Sequence, residues 1–310
     1  MKILIYEEEN FDKAVIEFLE NYGTVDVGFK GLPIKEIFER YEVFYFRLGI
    51  QIRPEHFSSS SIIKIIATPV TGLDHIDLDA CEKAGVKVIS LKGHTEFLKS
   101  IKATAEHTIA LTFSLLRKIP FAFDDVKSGS WLRDNFIGQE LHEKKVGILG
   151  LGRLGKIVGE YFLAFGCEVS FFDPREDIPA EWEDKRVNDL ERFLKPLDIL
   201  SIHVDFNDKN FEMIDAKFLS YLPSKCVIIN TSRGQLINEI DLLAALSNKT
   251  ISGAALDVVQ NEYDFSKDNL LVKYAKEATN LIITPHIGGK TYESMRKTEM
   301  YIAKLIVAEL

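Results

Sequence analysis

The stretch at residues 144–173 reads KKVGILGLGRLGKIVGEYFLAFGCEVSFFD, and it predicts a strand, a glycine turn, a helix and a second strand that ends on an acid. Gly150, Gly152 and Gly155 form a G-x-G-x-x-G pattern after an apolar run, and the following helix directs free N–H groups at a pyrophosphate. Asp173 follows at close to the spacing of about 20 residues expected for a carboxylate that binds a ribose 2′-hydroxyl. The pattern predicts a dinucleotide-binding unit.

Two residues near the end of this stretch bear on which dinucleotide binds. Asp173 occupies the ribose position, where a carboxylate accepts a free 2′-hydroxyl and repels a 2′-phosphate. Arg175 stands two residues further on, and its charge is of the kind that neutralises a 2′-phosphate. The carboxylate favours NAD over NADP, and the arginine leaves the alternative open.

Composition and charge limit the class of protein. The chain has 310 residues, of which 46% are hydrophobic, and this length favours two domains. A formal net charge of −9 argues against a nucleic-acid or anionic-membrane surface. The N-terminal sequence lacks the pattern of a signal peptide, so we expect a cytoplasmic protein. The three cysteines have no metal-site spacing, and no metal is expected.

The order of apolar runs predicts an α/β protein with two sheets. Short β-branched runs at 3–6, 43–46, 62–67 and 86–89 indicate a first parallel sheet. An apolar pattern from residue 100 indicates a helix that ends before Pro120. Six further strands are predicted, near 146–149, 169–172, 198–204, 226–230, 251–256 and 281–284. They indicate a doubly wound sheet, and the segment 291–310 is predicted to be a helix that returns to the first domain.

Three polar side chains follow strands of the second predicted sheet. Arg233 follows the strand at 226–230, Glu262 follows the strand that ends in LDVV, and His286 follows the strand at 281–284. Ligands bind at the carboxyl edge of open α/β sheets. A histidine is suited to proton transfer, a carboxylate holds its protonated form, and a guanidinium binds carboxylates bidentately. Each residue also has an ordinary structural explanation, but together they favour an active site.

The chain resembles the D-isomer-specific 2-hydroxyacid dehydrogenase family, which includes phosphoglycerate, glycerate, formate and D-lactate dehydrogenases. The resemblance covers nearly the whole chain and is carried by the strings TGLDHIDLDACEKAGVKV, ATAEHTIALTFSLLRKIP, VGILGLGRLGK, FFDP, INTSRGQLIN, GAALDVVQNE and TPHIGG. It implies two doubly wound parallel-sheet domains. It further implies that a Rossmann NAD-binding domain, residues 99–289, is inserted into a flavodoxin-like substrate domain, residues 1–98 plus 290–310.

The resemblance also implies roles for individual residues. The catalytic set is Arg233, Glu262 and His286. The cofactor-binding set is Thr71, Gly150, Gly152, Arg153, Leu154, Gly155, Asp173, Thr231, Ser232, Arg233, Asp257, His286, Gly288 and Gly289. The substrate-binding set is Arg47, Val70, Thr71, Gly72 and Arg233. The family further implies a homodimer formed by the nucleotide-binding domains.

The chain departs from the family pattern at several positions. Asp205 replaces a proline in the string HVD, and Tyr263 replaces the proline that commonly follows the catalytic glutamate. Thr68 stands where phosphoglycerate dehydrogenases tend to carry a second arginine, so a phosphorylated substrate loses one source of charge. The loop LKGHTEFLKSIKA is also unusual, and its lysines and His94 are either contacts for an anionic substrate or solvated side chains.

These observations predict an NAD-dependent oxidoreductase that interconverts a D-2-hydroxy acid and a 2-keto acid by hydride transfer, with phosphoglycerate-like and sugar acids among the candidate substrates. The alternative is an NAD-sensing binding protein with little turnover, as in the C-terminal binding protein corepressors that are similar to this family. A different Rossmann enzyme, such as a methyltransferase, fits the full set of strings poorly. The sequence does not identify the substrate.

Overall fold

The computed structural model describes residues 1–28 and 31–309. Two compact units make up the chain: unit 1 comprises Met1–Ile101 and Lys290–Leu310, and unit 2 comprises Lys102–Gly289. Each unit is an α/β structure with its own parallel sheet. The prediction of two doubly wound parallel-sheet domains is therefore confirmed.

Unit 1 contains a five-stranded sheet with the order β2-β1-β3-β4-β5. Its strands are β1 (Lys2–Ile5), β2 (Thr24–Val27), β3 (Val43–Tyr45), β4 (Ile65–Ala67) and β5 (Lys87–Ile89). Its helices are α1 (Lys13–Glu20), α2 (Ile34–Arg40), α3 (Leu78–Lys83), α4 (Thr95–Leu98) and, at the end of the chain, α12 (Tyr292–Ala308). This strand order is that of a flavodoxin-like sheet.

Apolar side chains cover both faces of this sheet. One face packs against α1 and α12 and the other against α2 and α3, so the inner strands β1, β3 and β4 are buried and almost entirely apolar. The helix predicted for the segment 291–310 is α12, and it belongs to unit 1. Strand β2 was not predicted, because it lies at the sheet edge and its side chains are only partly buried.

Unit 2 contains a six-stranded sheet with the order β11-β10-β9-β8-β6-β7. Its strands are β6 (Lys145–Leu149), β7 (Glu168–Phe172), β8 (Ile199–Ile202), β9 (Val227–Asn230), β10 (Gly253–Leu256) and β11 (Leu281–Ile283). Its helices are α5 (Ala103–Leu116), α6 (Ile119–Lys127), α7 (Arg153–Ala164), α8 (Leu190–Leu194), α9 (Ala216–Ser220), α10 (Glu239–Ser247) and α11 (Leu270–Glu277). All pairings are parallel.

The strand order of unit 2 indicates at which edge of its sheet a ligand binds. Strand β6 lies between β7 and β8, so the chain reverses its direction of winding there, and ligands bind outside the carboxyl ends of strands at such a point. Strands β9, β10 and β11 are consecutive neighbours in the sheet. The loops that follow these three strands therefore lie side by side at the same edge.

The helix predicted to end before Pro120 stops at Leu116, and a second helix begins at once. Lys118 has a left-handed backbone with φ of 53°, which breaks α5 from α6. Pro120 lies in the first turn of α6, where its missing N–H costs no hydrogen bond. The proline thus marks a helix start as well as the end of the preceding helix.

Two structural features of residues 1–28 and 31–309 bear on membrane and metal binding. None of the helices described there has both the length and the apolar character needed to cross a bilayer. Over the same residues, no group of three or more His, Cys, Asp or Glu side chains is arranged to hold a metal ion.

Candidate active site

The glycine turn between β6 and α7 is shaped by three glycines with different tasks. Gly150 has φ of 92°, and a Cβ there would lie 2.7 Å from the carbonyl oxygen of His203. A Cβ at Gly155 would collide with the carbonyl oxygen of Gly150. A Cβ at Gly152 would meet no atom within 4 Å, so the space above the helix N-terminus is open. This open space and the N–H groups of α7 fit a pyrophosphate.

The two residues that follow Gly152 begin helix α7. Arg153 is its first residue, and burial lowers the pKa of the Arg153 guanidinium from its ordinary value. Leu154 is partly buried and packs against the core of unit 2. Both residues lie at the end of α7 that faces the predicted phosphate position.

Asp173 directly follows β7, and its carboxylate is nearly buried. Its Oδ2 accepts the backbone N–H of Leu151 at 2.8 Å, which ties it to the glycine turn. Arg175 binds the same carboxylate through its backbone N–H and its guanidinium, at 2.7–3.0 Å. Burial acts to raise the pKa of Asp173, but the hydrogen bonds from Arg175 and Leu151 outweigh it and hold the pKa below its usual value. The predicted ribose-binding carboxylate is therefore ionised and paired.

The loop after β9 carries three predicted site residues. The hydroxyl of Thr231 lies 2.8 Å from that of Thr108 in α5, and Ser232 donates to the carbonyl of Val204 after β8. Arg233 donates from Nη1 to the carbonyl of Ser232. These contacts attach the loop to its neighbours on both sides.

Gly234 explains how the loops after β9 and β10 come together. A Cβ at Gly234 would collide with the backbone carbonyl group of Val259. The absence of a side chain thus allows the Arg233 loop to lie directly against the backbone that leads to Glu262. The sequence prediction did not assign this glycine, although it lies within the string INTSRGQLIN.

His286 and Glu262 form a direct pair across the loops after β11 and β10. Nδ1 of His286 lies 2.7 Å from Oε2 of Glu262, and both side chains are a little over one-quarter exposed. Glu262 begins a short 3₁₀ turn, Glu262–Asp264. Nδ1 is engaged by the carboxylate, so Nε2 is the ring nitrogen left to exchange a proton with a substrate.

The backbone of His286 is held in a strained form. Its φ is 52°, in the left-handed region that non-glycine residues rarely adopt. Its N–H donates to the carbonyl of Asp257 at 2.8 Å and to that of Thr284 at 3.0 Å. The fold therefore fixes the direction in which the imidazole points.

Asp257 organises the loop that carries His286. Its Oδ1 accepts from the hydroxyl of Thr284 at 2.6 Å and from the N–H of Ile287 at 2.9 Å, and its Oδ2 accepts from the N–H of Gly288 at 2.7 Å. His107 from α5 lies 3.2 Å from Oδ1. Burial acts to raise the pKa of Asp257, but these hydrogen bonds outweigh it and lower the pKa.

His107 is a site residue that the sequence prediction missed. Its Nε2 contacts both the Asp257 carboxylate and the Thr284 hydroxyl, which lies 3.1 Å away. Little in the sequence signals it, because the helix string ATAEHTIAL also contains two threonines and a glutamate, so the histidine does not stand out. The first turn of α5, which precedes His107, also restricts the space around the loop after β11. A Cβ at Gly288 would lie 3.1 Å from the side chain of Thr104 in that turn. Gly289, the next residue, has open space around its Cα.

The predicted substrate residues of unit 1 lie at the carboxyl ends of β3 and β4. Arg47 follows β3, and its guanidinium binds the buried carboxylate of Glu299 in α12 and the carbonyls of Glu9 and Asn10. Thr68 is buried and donates to the carbonyl of Arg47. Arg47 also lines a cleft of about 580 Å³ within unit 1. Most of its donors are used within the fold, so its assignment as a substrate contact stays a prediction.

The loop after β4 contains Val70, Thr71 and Gly72. The Val70 carbonyl accepts the N–H of Leu91 at 3.0 Å, which links the loop to the end of β5. Thr71 is exposed and its two neighbours are partly buried. Their backbone is accessible in unit 1, and their roles in binding stay predictions.

Two side chains of the unusual loop after β5 are committed to contacts in unit 1. Nδ1 of His94 lies 2.9 Å from the hydroxyl of Tyr301 in α12, and Lys99 pairs with Glu96. Lys92 and Lys102 are exposed. These contacts favour the solvated interpretation of this loop over an anion-binding one.

The unusual string HVD follows β8. His203 is buried, and its Nε2 lies 2.8 Å from the hydroxyl of Ser201. Burial lowers the pKa of His203 to about 3, so its ring is neutral at physiological pH. This histidine is a core residue beneath the glycine turn, while Asp205 lies on the loop beyond it.

Comparison with known proteins agrees with this geometry. Residues 109–288 match the family described as D-isomer specific 2-hydroxyacid dehydrogenase, NAD binding domain. The chain belongs to the D-isomer-specific 2-hydroxyacid dehydrogenase family. The NAD-binding domain of the family thus lies within unit 2, and NAD is its cofactor.

Individual relatives support the family over the whole chain. The D-3-phosphoglycerate dehydrogenase of Synechocystis is 31% identical over 311 residues, which cover 98% of this chain and 53% of the relative. The hydroxypyruvate reductase of Thermotoga maritima is 27% identical and covers 99% of this chain and 98% of its own. The D-lactate dehydrogenase of Aquifex aeolicus, solved with NAD and lactic acid, superimposes with a TM-score of 0.84 at 26% identity, over 100% of this chain and 95% of that chain.

The length of the relatives differs. The chain spans about half the length of the D-3-phosphoglycerate dehydrogenases that it matches, 53% for one and 57% for another. It spans nearly all of the Thermotoga hydroxypyruvate reductase. The segment shared by all of them comprises the two α/β units.

Proposed function

We propose that this protein is an NAD-dependent oxidoreductase that interconverts a D-2-hydroxy acid and a 2-keto acid. The observation that carries the proposal is the contact of 2.7 Å between Nδ1 of His286 and Oε2 of Glu262. It lies at the carboxyl edge of the NAD-binding sheet, on the loops next to the one that carries Arg233. A histidine oriented by a carboxylate is the arrangement that general acid–base catalysis requires.

Each residue of this set has a part in the proposed reaction. NAD, when bound, supplies or accepts the hydride at the carbon that bears the oxygen. In reduction, His286 donates a proton from Nε2 to the carbonyl oxygen, and in oxidation it takes the hydroxyl proton back. Glu262 stabilises the charged imidazole, and Arg233 binds the substrate carboxylate through its guanidinium fork.

We assign the remaining predicted residues to binding. Residues 99–289, which include unit 2, would be the cofactor domain, and residues 1–98 plus 290–310 the substrate domain. The proposed cofactor contacts are the glycine turn with Arg153 and Leu154, Asp173, the loop after β9, Asp257, and the loop of Gly288 and Gly289. The proposed substrate contacts in unit 1 are the backbone of Val70, Thr71 and Gly72, with Thr71 also near the cofactor.

A homodimer is part of this proposal. Six large apolar side chains are exposed between residues 119 and 137, at 48% to 74% of their full area. We call them the 119–137 patch: Ile119, Phe123, Val126, Trp131, Leu132 and Ile137. Contiguous exposed apolar surface marks an interaction site, and a second copy of this unit is the partner that the family resemblance implies.

We also propose a cytoplasmic location, which fits the three buried free cysteines.

Oxidation of NADH against a panel of keto acids tests the activity. The panel comprises glyoxylate, hydroxypyruvate, phosphohydroxypyruvate and sugar-derived 2-keto acids, so phosphorylated and unphosphorylated substrates are compared directly. We expect turnover on at least one of them. His286→Ala should lower it by about a hundredfold to ten-thousandfold while NADH binding survives.

The control is His142→Ala, which removes an exposed histidine of the same unit and should leave turnover unchanged. Normal turnover in His286→Ala would refute the assignment of the proton donor. Tight NADH binding without turnover on any keto acid would favour the alternative of an NAD-sensing protein.

A further inference from the structure

The carboxylate of Asp173 has all of its acceptor positions filled by the chain itself. Oδ1 accepts the backbone N–H of Arg175 at 2.9 Å and its Nε–H at 3.0 Å. Oδ2 accepts the backbone N–H of Leu151 at 2.8 Å and Nη2–H of Arg175 at 2.7 Å. An ionised carboxylate offers about four lone-pair positions. A ribose hydroxyl can therefore bind Asp173 only after one of these donors leaves.

The donors differ in how readily they can leave. The two backbone N–H groups belong to the glycine turn and to the loop after β7. Arg186 further fixes that loop, because its Nη2 donates to the carbonyls of Asp173 at 3.2 Å and Arg175 at 2.6 Å. The Arg175 side chain, in contrast, is 52% exposed. The guanidinium is the partner that can be displaced without moving the backbone.

The surroundings provide other partners for a displaced guanidinium. Besides Asp173, the charges of Asp177 and Asp205 act on Arg175. Asp205 is the residue that replaces the proline of the family pattern in the string HVD. The departure from the family thus adds a negative charge whose field reaches Arg175.

We propose that Arg175 is a specificity-determining residue that competes with the adenosine ribose of NAD for Asp173. The inference rests on NAD binding by unit 2 and identifies how its affinity is set. The contribution of Asp173 to NAD affinity is the free energy of its contacts with the ribose minus that of the Arg175–Asp173 pair that they replace. For a cofactor with a 2′-phosphate, Arg175 has the opposite effect and favours binding. It neutralises the charge of Asp173 and offers a cation to the phosphate.

Equilibrium binding of NADH and NADPH to the full chain, followed by cofactor fluorescence, tests this competition. In Arg175→Met the dissociation constant for NADH should fall by about three- to fivefold, the upper part of the range expected for loss of a half-exposed ion pair. The dissociation constant for NADPH should rise in the same variant. The control Arg192→Met removes an exposed arginine of the same unit and should change neither constant by more than about twofold.

A second variant keeps the test independent of folding. Arg175→Lys retains the charge but not the fork, so NADH should bind with an affinity between those of the wild type and Arg175→Met. Unchanged or weaker NADH binding in Arg175→Met, or in Arg175→Lys if only that variant folds, would overturn the proposal. These binding measurements need no turnover. The competition can therefore be confirmed even if no keto acid of the panel is reduced, and it can be refuted even if one is.

Discussion

Nε2 of His107 lies 3.2 Å from Oδ1 of Asp257, although 150 positions separate the two residues in the chain. The contact joins helix α5 to the carboxyl end of β10. Asp257 in turn accepts the N–H groups of Ile287 and Gly288, which flank the catalytic candidate on its C-terminal side. We therefore expect His107 to act as a positioning residue, through Asp257, on the loop of His286.

The first prediction concerns this positioning. His107→Ala should lower kcat by about tenfold to a hundredfold, because a displacement of about 1 Å at a reacting group costs up to about a hundredfold. The dissociation constant for NADH should change by less than about threefold. Steady-state kinetics on the best keto acid of the panel measure kcat, and a separate titration measures the dissociation constant for NADH.

The conservative variant His107→Asn retains a side chain that can hydrogen-bond to Asp257 and should recover part of the lost kcat. If His107→Ala lowers NADH affinity as strongly as kcat, the residue supports cofactor binding instead. If both parameters stay at the wild-type level, the contact has no positioning role.

The second prediction separates two glycines of the same turn. Gly152→Ala should leave the thermal midpoint Tm almost unchanged, because its Cβ meets no atom within 4 Å, but it should weaken NADH binding at least about tenfold by filling the proposed phosphate space. Gly155→Ala should lower Tm by several degrees, since its Cβ collides with the carbonyl of Gly150. Calorimetry and NADH titration measure both effects. Full NADH affinity in a folded Gly152→Ala protein would contradict a phosphate site at this turn.

The third prediction concerns pH and unit 1. Burial raises the pKa of Glu7, against the opposing effect of Arg47, while the charge of Glu299 adds to the increase. One carboxylate oxygen of Glu7 is buried without a hydrogen-bond partner. A carboxyl with a raised pKa favours the folded state below its ordinary pKa, and this contribution is lost as the pH rises through the raised value.

Glu7→Gln should therefore increase the free energy of unfolding of unit 1 at about pH 8, with the gain shrinking toward about pH 5. Hydrogen exchange of the β1 and β3 amides reports on unit 1 alone. Glu9→Gln, in an exposed position of the same loop, should show no such pH dependence. A gain that grows as the pH falls would have the wrong sign for a raised pKa.

The fourth prediction concerns the 119–137 patch. Phe123→Glu combined with Trp131→Glu should convert the proposed dimer to a monomer, because both side chains are more than 60% exposed and would place charge within an apolar contact. Sedimentation equilibrium measures the mass. Phe211→Glu, at an exposed position of unit 2 outside the patch, should leave the dimer intact. A dimer that persists in the double variant would place the interface elsewhere.

Most of the fold was predictable because local patterns specify it. The apolar runs located ten of the strands, since parallel strands buried on both faces are nearly continuous in apolar residues. Strand β2 escaped prediction because its edge position leaves the side chains half exposed. The break between helices α5 and α6 near residue 118 was also not predicted, because Pro120 is compatible with both a helix end and a helix start.

The sequence by itself determined the kind of protein: the glycine turn, the acid at the end of β7 and the polar residues after three strands follow from spacing along the chain. Only the tertiary structure decided which of these groups are available. It showed that Arg175 and Leu151 together fill the acceptor positions of Asp173, that Glu299 holds Arg47, and that His107 contacts Asp257. Spacing specifies which residues reach a sheet edge, but the partner of a charged group there is set by contacts between distant parts of the chain.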